Sequence, residues 1–363
     1  MSEPSVSRAD LISNLTSRYA LRHRIYLDLG GVCVEIGVNE PALGLALEKY
    51  FAEFRTQEAC ADLSITALEA PPQTPPMELT VKQRAPGKKP HEAYADLPDG
   101  RVVQKFGTDM LFVFGHGDNL VIGPCLRWLN QVVNFVGNRL IEWLMHQGGL
   151  PVHVAAGSLG GQAAAFIGKA GKGKSTLALH MTARGANFVT NDRAVLLERN
   201  GEVRIHGEPK TARVNPGTAL NVPGLDGVMP ADDRERFRAL PTSELWSVER
   251  KYTASITELY GPGRFRLSAA LRGLLFLEWS GFDSPCRIEP ARDEEREEMM
   301  SLLRKSPGLF YVPIPGGVPA TPPRSAYLEL LSRIPIYTAR GGVDFDTAAN
   351  FCLGMLENCR KTT

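Results

Sequence analysis

The sequence predicts an α/β protein in two parts: a phosphate-loop domain over residues 125–363, preceded by a smaller α+β domain over residues 1–124. Three observations carry this expectation. Gly168 to Ser175 reads G-x-x-x-x-G-K-S between an apolar run and a helical one. Strand-like and helical stretches interleave on both sides of it, and just after Gly123-Pro124 short alternating strands give way to a long apolar-striped helix. At 363 residues the chain has room for about two domains.

From Arg24 to Val38, apolar and polar residues alternate around a Gly-Gly break, which predicts two short strands or one bulged strand. Pro41 then suits a first helical turn, and Leu43, Leu45, Leu47, Tyr50, Phe51 and Phe54 recur at helical spacing up to Arg55. Asp62 to Ala67 reads as a strand. Ala70 to Pro90 holds six prolines with Lys82, Arg84, Lys88 and Lys89, the composition of a solvated basic loop. Strands at Arg101–Phe106, Met110–Phe114 and Leu120–Ile122, separated by turn residues, suit an antiparallel meander. A helix follows over Leu126–Gln147. Pro151 to Ala156 reads as a strand with His153 inside it, Leu271 to Trp279 as a central strand, and Asp293 to Arg304 as a helix with a solvated, charged face.

Composition narrows the function classes. Hydrophobic residues at 43% and charged residues at 22% describe a chain that folds. With 41 Lys+Arg against 40 Asp+Glu, the net charge of +1 gives no field that would gather nucleic acid or an anionic membrane, so neither is an expected partner. The six cysteines (Cys33, Cys60, Cys125, Cys286, Cys352 and Cys359) form no Cys-x-x-Cys pair, so free thiols are expected rather than a zinc ribbon or a disulfide framework. No run reaches the ~18–20 apolar residues of a membrane span, and Met1 to His23 lacks the continuous apolar segment of a signal peptide. A soluble, cytoplasmic protein is the expectation.

The chemistry concentrates between Gln162 and Leu197. Gly168, Lys169, Ala170, Gly171, Lys172, Gly173, Lys174 and Ser175, with Thr176 following on the helix, make a complete phosphate loop. Chance alone gives roughly 0.03 such matches in a chain of this length. Ala163–Ile167 supplies the strand before it, and Ser175–Arg184 the helix after it, closed by Gly185. A triphosphate must be wrapped by backbone N–H groups, and glycines let the backbone approach without a Cβ in the way. Lys174 is then the cation for the β- and γ-phosphates, Ser175 a hydroxyl ligand for Mg²⁺, and the helix N-terminus a positive dipole end. Ala186 to Thr190 reads as a second strand, ending in Asn191-Asp192-Arg193. A carboxylate there suits a magnesium ligand or a base for an acceptor hydroxyl, and Asp192 also fits a plain turn.

These residues resemble the bacterial HPr kinase/phosphorylase group and its wider set of HPr-kinase-related proteins. The likeness rests on Val152-His153-Val154, the run Phe166 to Ser175, the helix ending in Arg184-Gly185, and Asn191-Asp192-Arg193. It extends over 126–363 through Ile334–Tyr337 and Gly341–Asp346, whereas the first domain does not look like that of the bifunctional enzymes. The resemblance implies a fold similar to phosphoenolpyruvate carboxykinase, ATP and Mg²⁺ as cofactors, and transfer of phosphate to a serine hydroxyl of a protein or peptide. It also implies His153 near the transferred phosphoryl group and a tendency to form homo-oligomers.

Two departures shape the expected activity. The family usually places two adjacent aspartates after this strand, the first acting as base, and here that position is Asn191. An amide cannot take that proton, so Asp192 takes over, another carboxylate substitutes, or turnover is slow. The glycine-rich segment tied to phosphorylase activity is missing; Glu208 to Gly217 stands in its place, with Glu208 a candidate substitute carboxylate and Lys210 and Arg213 candidate cations. Residues Glu249 to Tyr252 and Arg287 are weaker candidates. The expectation is therefore a serine kinase without phosphorylase activity. The alternatives are a kinase for a small hydroxyl metabolite and a nucleotide-binding regulator with weak turnover.

Overall fold

The computed structural model describes residues 6–83, 87–115, 117–281 and 284–361 of the chain; Arg84 of the basic loop lies outside them. They form a mixed α/β protein that divides into two compact units, one of residues 1–147 with 307–320 and one of residues 148–306 with 321–363.

The first unit is built on an eight-stranded sheet. After α1 (Arg8–Thr16) come β1 (His23–Asp28) and β2 (Cys33–Val38), the hairpin that the Gly-Gly break predicted, and then α2 (Pro41–Tyr50). β3 (Leu63–Glu69), β4 (Thr80–Val81), β5 (Glu92–Leu97), β6 (Gly100–Lys105), β7 (Met110–Gly115) and β8 (Asn119–Gly123) complete it in the order β1-β2-β3-β8-β7-β6-β5-β4. The expected meander is present as β6, β7 and β8, and β3 pairs in parallel with both β2 and β8. β7 is buried on both faces, which explains its unbroken apolar run. Leu111 and Val113 lie against Leu11, Ile12 and Leu15 of α1, while Phe112 and Phe114 meet Phe135 of α3 (Leu129–His146).

The boundary expected near Pro124 sits later, because α3 packs on β3 and β8 and so belongs to the first unit. That unit also takes in the distant segment 307–320. Phe310 stacks on Phe114 at 5.3 Å, Arg139 donates to the Phe310 carbonyl, and the Val312 N–H donates to Glu142 Oε1 at 2.7 Å. Arg139 and Glu142 pair with each other at 1% and 4% exposure, so the carbonyl and N–H of this segment complete the partners that a buried ion pair needs.

In the second unit, β9 (Leu150–Val152), β10 (Ala155–Leu159) and β11 (Gln162–Ile167) lead into α4 (Lys174–Ala183). Then follow β12 (Asn187–Thr190), β13 (Ala194–Arg199), β14 (Glu202–Gly207), β15 (Ala212–Val214), α5 (Pro216–Asn221), α6 (Ala231–Arg238), α7 (Thr242–Ser247), β16 (Tyr252–Ala254) and α8 (Ile256–Tyr260). β17 (Ser268–Leu277), β18 (Arg287–Pro290), α9 (Arg296–Leu303), α10 (Arg324–Leu331), β19 (Ile336–Arg340) and α11 (Phe345–Lys361) close the unit. The sheet runs β12-β10-β11-β17-β14-β13-β9, with β19 along the second half of β17 and β18 outside it. β17 is central, as its apolar run predicted, and pairs in parallel with β11 and β19; the other pairings in this sheet are antiparallel. α4 and α11 pack on each other and on β10 and β11.

The strand expected across Pro151–Ala156 is two strands. β9 pairs with β13, whereas β10 pairs with β11 and β12, so the chain changes neighbours at His153-Val154 and leaves that pair outside both ladders. Among the described residues, no helix is long and apolar enough to cross a membrane.

Two histidines of this unit set an acid limit on stability. His180 on α4 and His206 on β14 are 5% and 8% exposed, and burial, assisted by nearby arginines, lowers both to about 4 from 6.5. Their folded values lie below the unfolded value, so between these limits the unfolded chain binds more protons and stability falls as pH falls. Each histidine contributes about 3 kcal/mol over that window. The urea midpoint is expected to drop steadily on acidification from pH 6.5 to 4, and less steeply in His206→Gln. A flat midpoint over this range would count against neutral, buried imidazoles.

Candidate phosphate-transfer site

The phosphate loop leaves the sheet at Ile167 and returns to regular structure at Lys174. Gly171 and Gly173 adopt φ of 80° and 86°, a left-handed backbone that favours glycine. At Gly173 a Cβ would also lie 2.6 Å from the Phe345 ring at the start of α11. The loop is pinned from outside: Lys172 Nζ donates to the Trp279 carbonyl at 2.8 Å, and Trp279 Nε1 donates back to the Lys172 carbonyl at 2.9 Å. Lys169 pairs with Glu298 on α9 at 2.6 Å, and Thr176 shares a buried 2.8 Å hydrogen bond with Thr218 on α5. The side chains of Lys169, Lys172 and Thr176 are thus committed to the protein, so only their backbone could serve a phosphate.

Lys174 is 8% exposed and donates to the carbonyls of Gly168 at 2.6 Å and Lys169 at 3.2 Å. Burial lowers its pKa, Asp192 opposes the change, and Lys305 adds to it. A buried ammonium held by two loop carbonyls has strong reason to exchange them for phosphate oxygens, which carry full charge. Ser175 Oγ, at the first turn of α4, donates to the Asn191 carbonyl at 3.2 Å, which brings the acidic turn to the helix N-terminus.

That turn joins β12 to β13 and is tied by Thr190 Oγ1 donating to the Arg193 carbonyl at 2.7 Å. His153 Nδ1 lies 2.8 Å from the Asp192 carbonyl and 3.1 Å from its Oδ1. Both oxygens only accept, so the imidazole carries a proton on Nδ1, and in its neutral form the lone pair is on Nε2. The bond from His153 holds the Asp192 carboxyl down at about 2 against burial, with Lys305 and Lys210 assisting. Beside it, Arg193 pairs with Glu208 at 3.1 Å. Glu208 is 8% exposed, and its carboxyl is pushed up by burial and by Asp192, against Arg193, Lys210 and Lys305.

Of the residues singled out from the sequence, Lys174, Ser175, Asp192, His153, Glu208 and Lys210 thus cluster in one site. Arg213 is exposed on β15, and Arg287 is exposed on β18. Arg250 and Tyr252 bond Asp233 on α6 instead. Lys305 was missed, because it lies one residue beyond the helix read as a solvated charged face; its local sequence carries no signal.

Among the described residues, no cluster of three or more His, Cys, Asp or Glu side chains could hold a metal. A Mg²⁺ ion shared with phosphates needs only one or two protein oxygens. An ionised, half-exposed Asp192 carboxylate and the Ser175 hydroxyl meet that need as a hard-oxygen donor set.

The chain matches no family model and no curated protein. Among solved structures it is similar to the HPr(Ser) kinase/phosphatase from Coxiella burnetii at 10% identity, over 58% of this chain and 91% of that chain, with a TM-score of 0.29. A likeness that distant fixes neither the fold nor the activity.

Proposed function

We propose that the chain is an ATP- and Mg²⁺-dependent phosphotransferase that moves the γ-phosphoryl group to a serine hydroxyl of a protein or peptide. The observation that carries this reading is a phosphate loop with a buried lysine, joined through Ser175 and Asn191 to an ionised Asp192 that holds His153. The loop amides and Lys174 bind the phosphates. Ser175 and Asp192 hold the Mg²⁺ ion, which when bound neutralises phosphate charge. In the transfer, the acceptor oxygen bonds to the γ-phosphorus as its bond to the β–γ bridging oxygen breaks, and ADP leaves with that electron pair. His153 Nε2 takes the hydroxyl proton, and Asp192 stabilises the imidazolium that results. Asn191 is then no obstacle, because the proton acceptor is an imidazole rather than the missing carboxylate.

Lys174→Ala tests the reading. Wild type with Mg²⁺ is expected to bind ATP and to pass ³²P from γ-labelled ATP to an acceptor in lysate of the source cell. The variant is expected to lose on the order of a hundredfold in ATP affinity, as two or more charge-assisted bonds disappear. Equal binding by both proteins would overturn the phosphate-loop assignment. Asn191 also supports a second reading, a nucleotide-binding regulator with weak turnover; ATP binding without any labelled product, even with Asn191→Asp, would favour it. Labelling of a purified metabolite without protein acceptor would favour a small-molecule kinase.

A further inference from the structure

We infer that Lys305 is a second cation, added to Lys174, on the terminal phosphate of a nucleoside triphosphate and so distinguishes it from the diphosphate. The inference rests on the nucleotide reading above. It begins with backbone. Beyond α9 the chain runs antiparallel to β9: Arg304 bridges Val152, the Lys305 N–H donates to the Pro151 carbonyl at 3.3 Å, and the His153 N–H donates to the Leu303 carbonyl at 2.7 Å. This register pairs 305 with 151 and 303 with 153, and residues two apart on an extended chain share a side. Lys305 is therefore set opposite Pro151, two residues from His153.

The other end of α9 is fixed to the phosphate loop by the Glu298–Lys169 ion pair. One short helix thus ties the lip of the loop to the histidine link, and Lys305 stands at its end. The charge of Lys305 acts on Lys174, Asp192 and Glu208 alike.

Its bonding sets it apart from the loop lysines. Lys169, Lys172 and Lys174 each hold an oxygen partner, whereas half-buried Lys305 has no side-chain hydrogen bond or ion pair among the described residues. An ammonium drawn partly out of water gains from a close anion. An anion that Lys305 shares with Lys174 and that an acceptor beside His153 could attack would be the terminal phosphate. A lysine there adds a point charge to the oxygens that gain negative character during transfer.

The experiment is calorimetric titration of Mg²⁺-ATP and Mg²⁺-ADP into wild type, Lys305→Gln and Lys305→Arg. Wild type is expected to prefer ATP. Lys305→Gln is expected to lose about tenfold in ATP affinity, the worth of one charge-assisted bond, while ADP affinity stays within about twofold; Lys305→Arg retains most of the preference. Unchanged ATP affinity in Lys305→Gln, or equal loss for both nucleotides, would overturn the assignment. Equal binding of both nucleotides by wild type removes the role of Lys305 alone, and binding of neither removes the proposed function with it.

Discussion

Replacing His153 with alanine is expected to slow phosphoryl transfer roughly 10³-fold at saturating ATP while leaving ATP affinity within about twofold. The imidazole donates its Nδ1 proton to Asp192 and, among the described residues, makes no side-chain hydrogen bond to the loop Gly168–Ser175. Its loss removes the proposed proton acceptor and leaves the glycine loop intact. Asp192→Asn is expected to fall at least as far, although for different reasons. The Asp192 backbone carbonyl still accepts the Nδ1 proton at 2.8 Å, so the imidazole keeps its tautomer. The carboxylate proposed to stabilise the imidazolium and to ligate Mg²⁺ is gone. Because the two groups act as a unit, the double variant is expected to lie within about tenfold of the slower single one. Single-turnover transfer of ³²P from γ-labelled ATP measures all three, and a full-rate His153→Ala protein would refute the assignment.

The second large effect concerns stability. Glu142→Ala is expected to destabilise the protein by about 3–5 kcal/mol, because it strands Arg139, 1% exposed, without its counter-charge and leaves the Val312 N–H unmet. Stacking of the guanidinium on Phe114 at 4.1 Å does not replace a carboxylate. Removing both charges in Arg139→Met with Glu142→Leu eliminates the stranded cation. It still leaves the Phe310 carbonyl and the Val312 N–H without partners, so the double variant is expected to recover only part of the loss and to remain about 1–3 kcal/mol below wild type. Chemical denaturation followed by tryptophan fluorescence measures the series. A double variant less stable than Glu142→Ala would contradict this account.

How legible these features were in the sequence follows from how local their causes are. The phosphate loop, the helix closed by Gly185 and the central strand β17 depend on a few consecutive residues, so their positions were readable. His153 was readable as a residue but not in its setting. Whether Pro151–Ala156 is one strand or two depends on which distant strands compete for each half, and β13 takes the first while β11 and β12 take the second. β5 was missed because, of its six residues, only Ala93 is buried, which leaves no apolar alternation to detect. Lys305 and the segment 307–320 were invisible for a shared reason. Both derive their role from partners more than a hundred residues away, and a lysine or a Gly-Leu-Phe run carries no record of such partners.

The return of residues 307–320 to the first unit bears on how the protein is made. Glu142 and Val312 are 170 residues apart, an interval of roughly 10–30 s on a translating ribosome. Throughout that interval, the newly synthesised residues 1–147 hold Arg139, Glu142 and the Phe112–Phe114–Phe135 cluster without the segment that covers them. Folding of the first unit therefore cannot finish in order of synthesis. It waits until residues 148–306 have been made, and a nascent chain stalled before residue 307 is a natural client for chaperones that shield exposed aromatic surface.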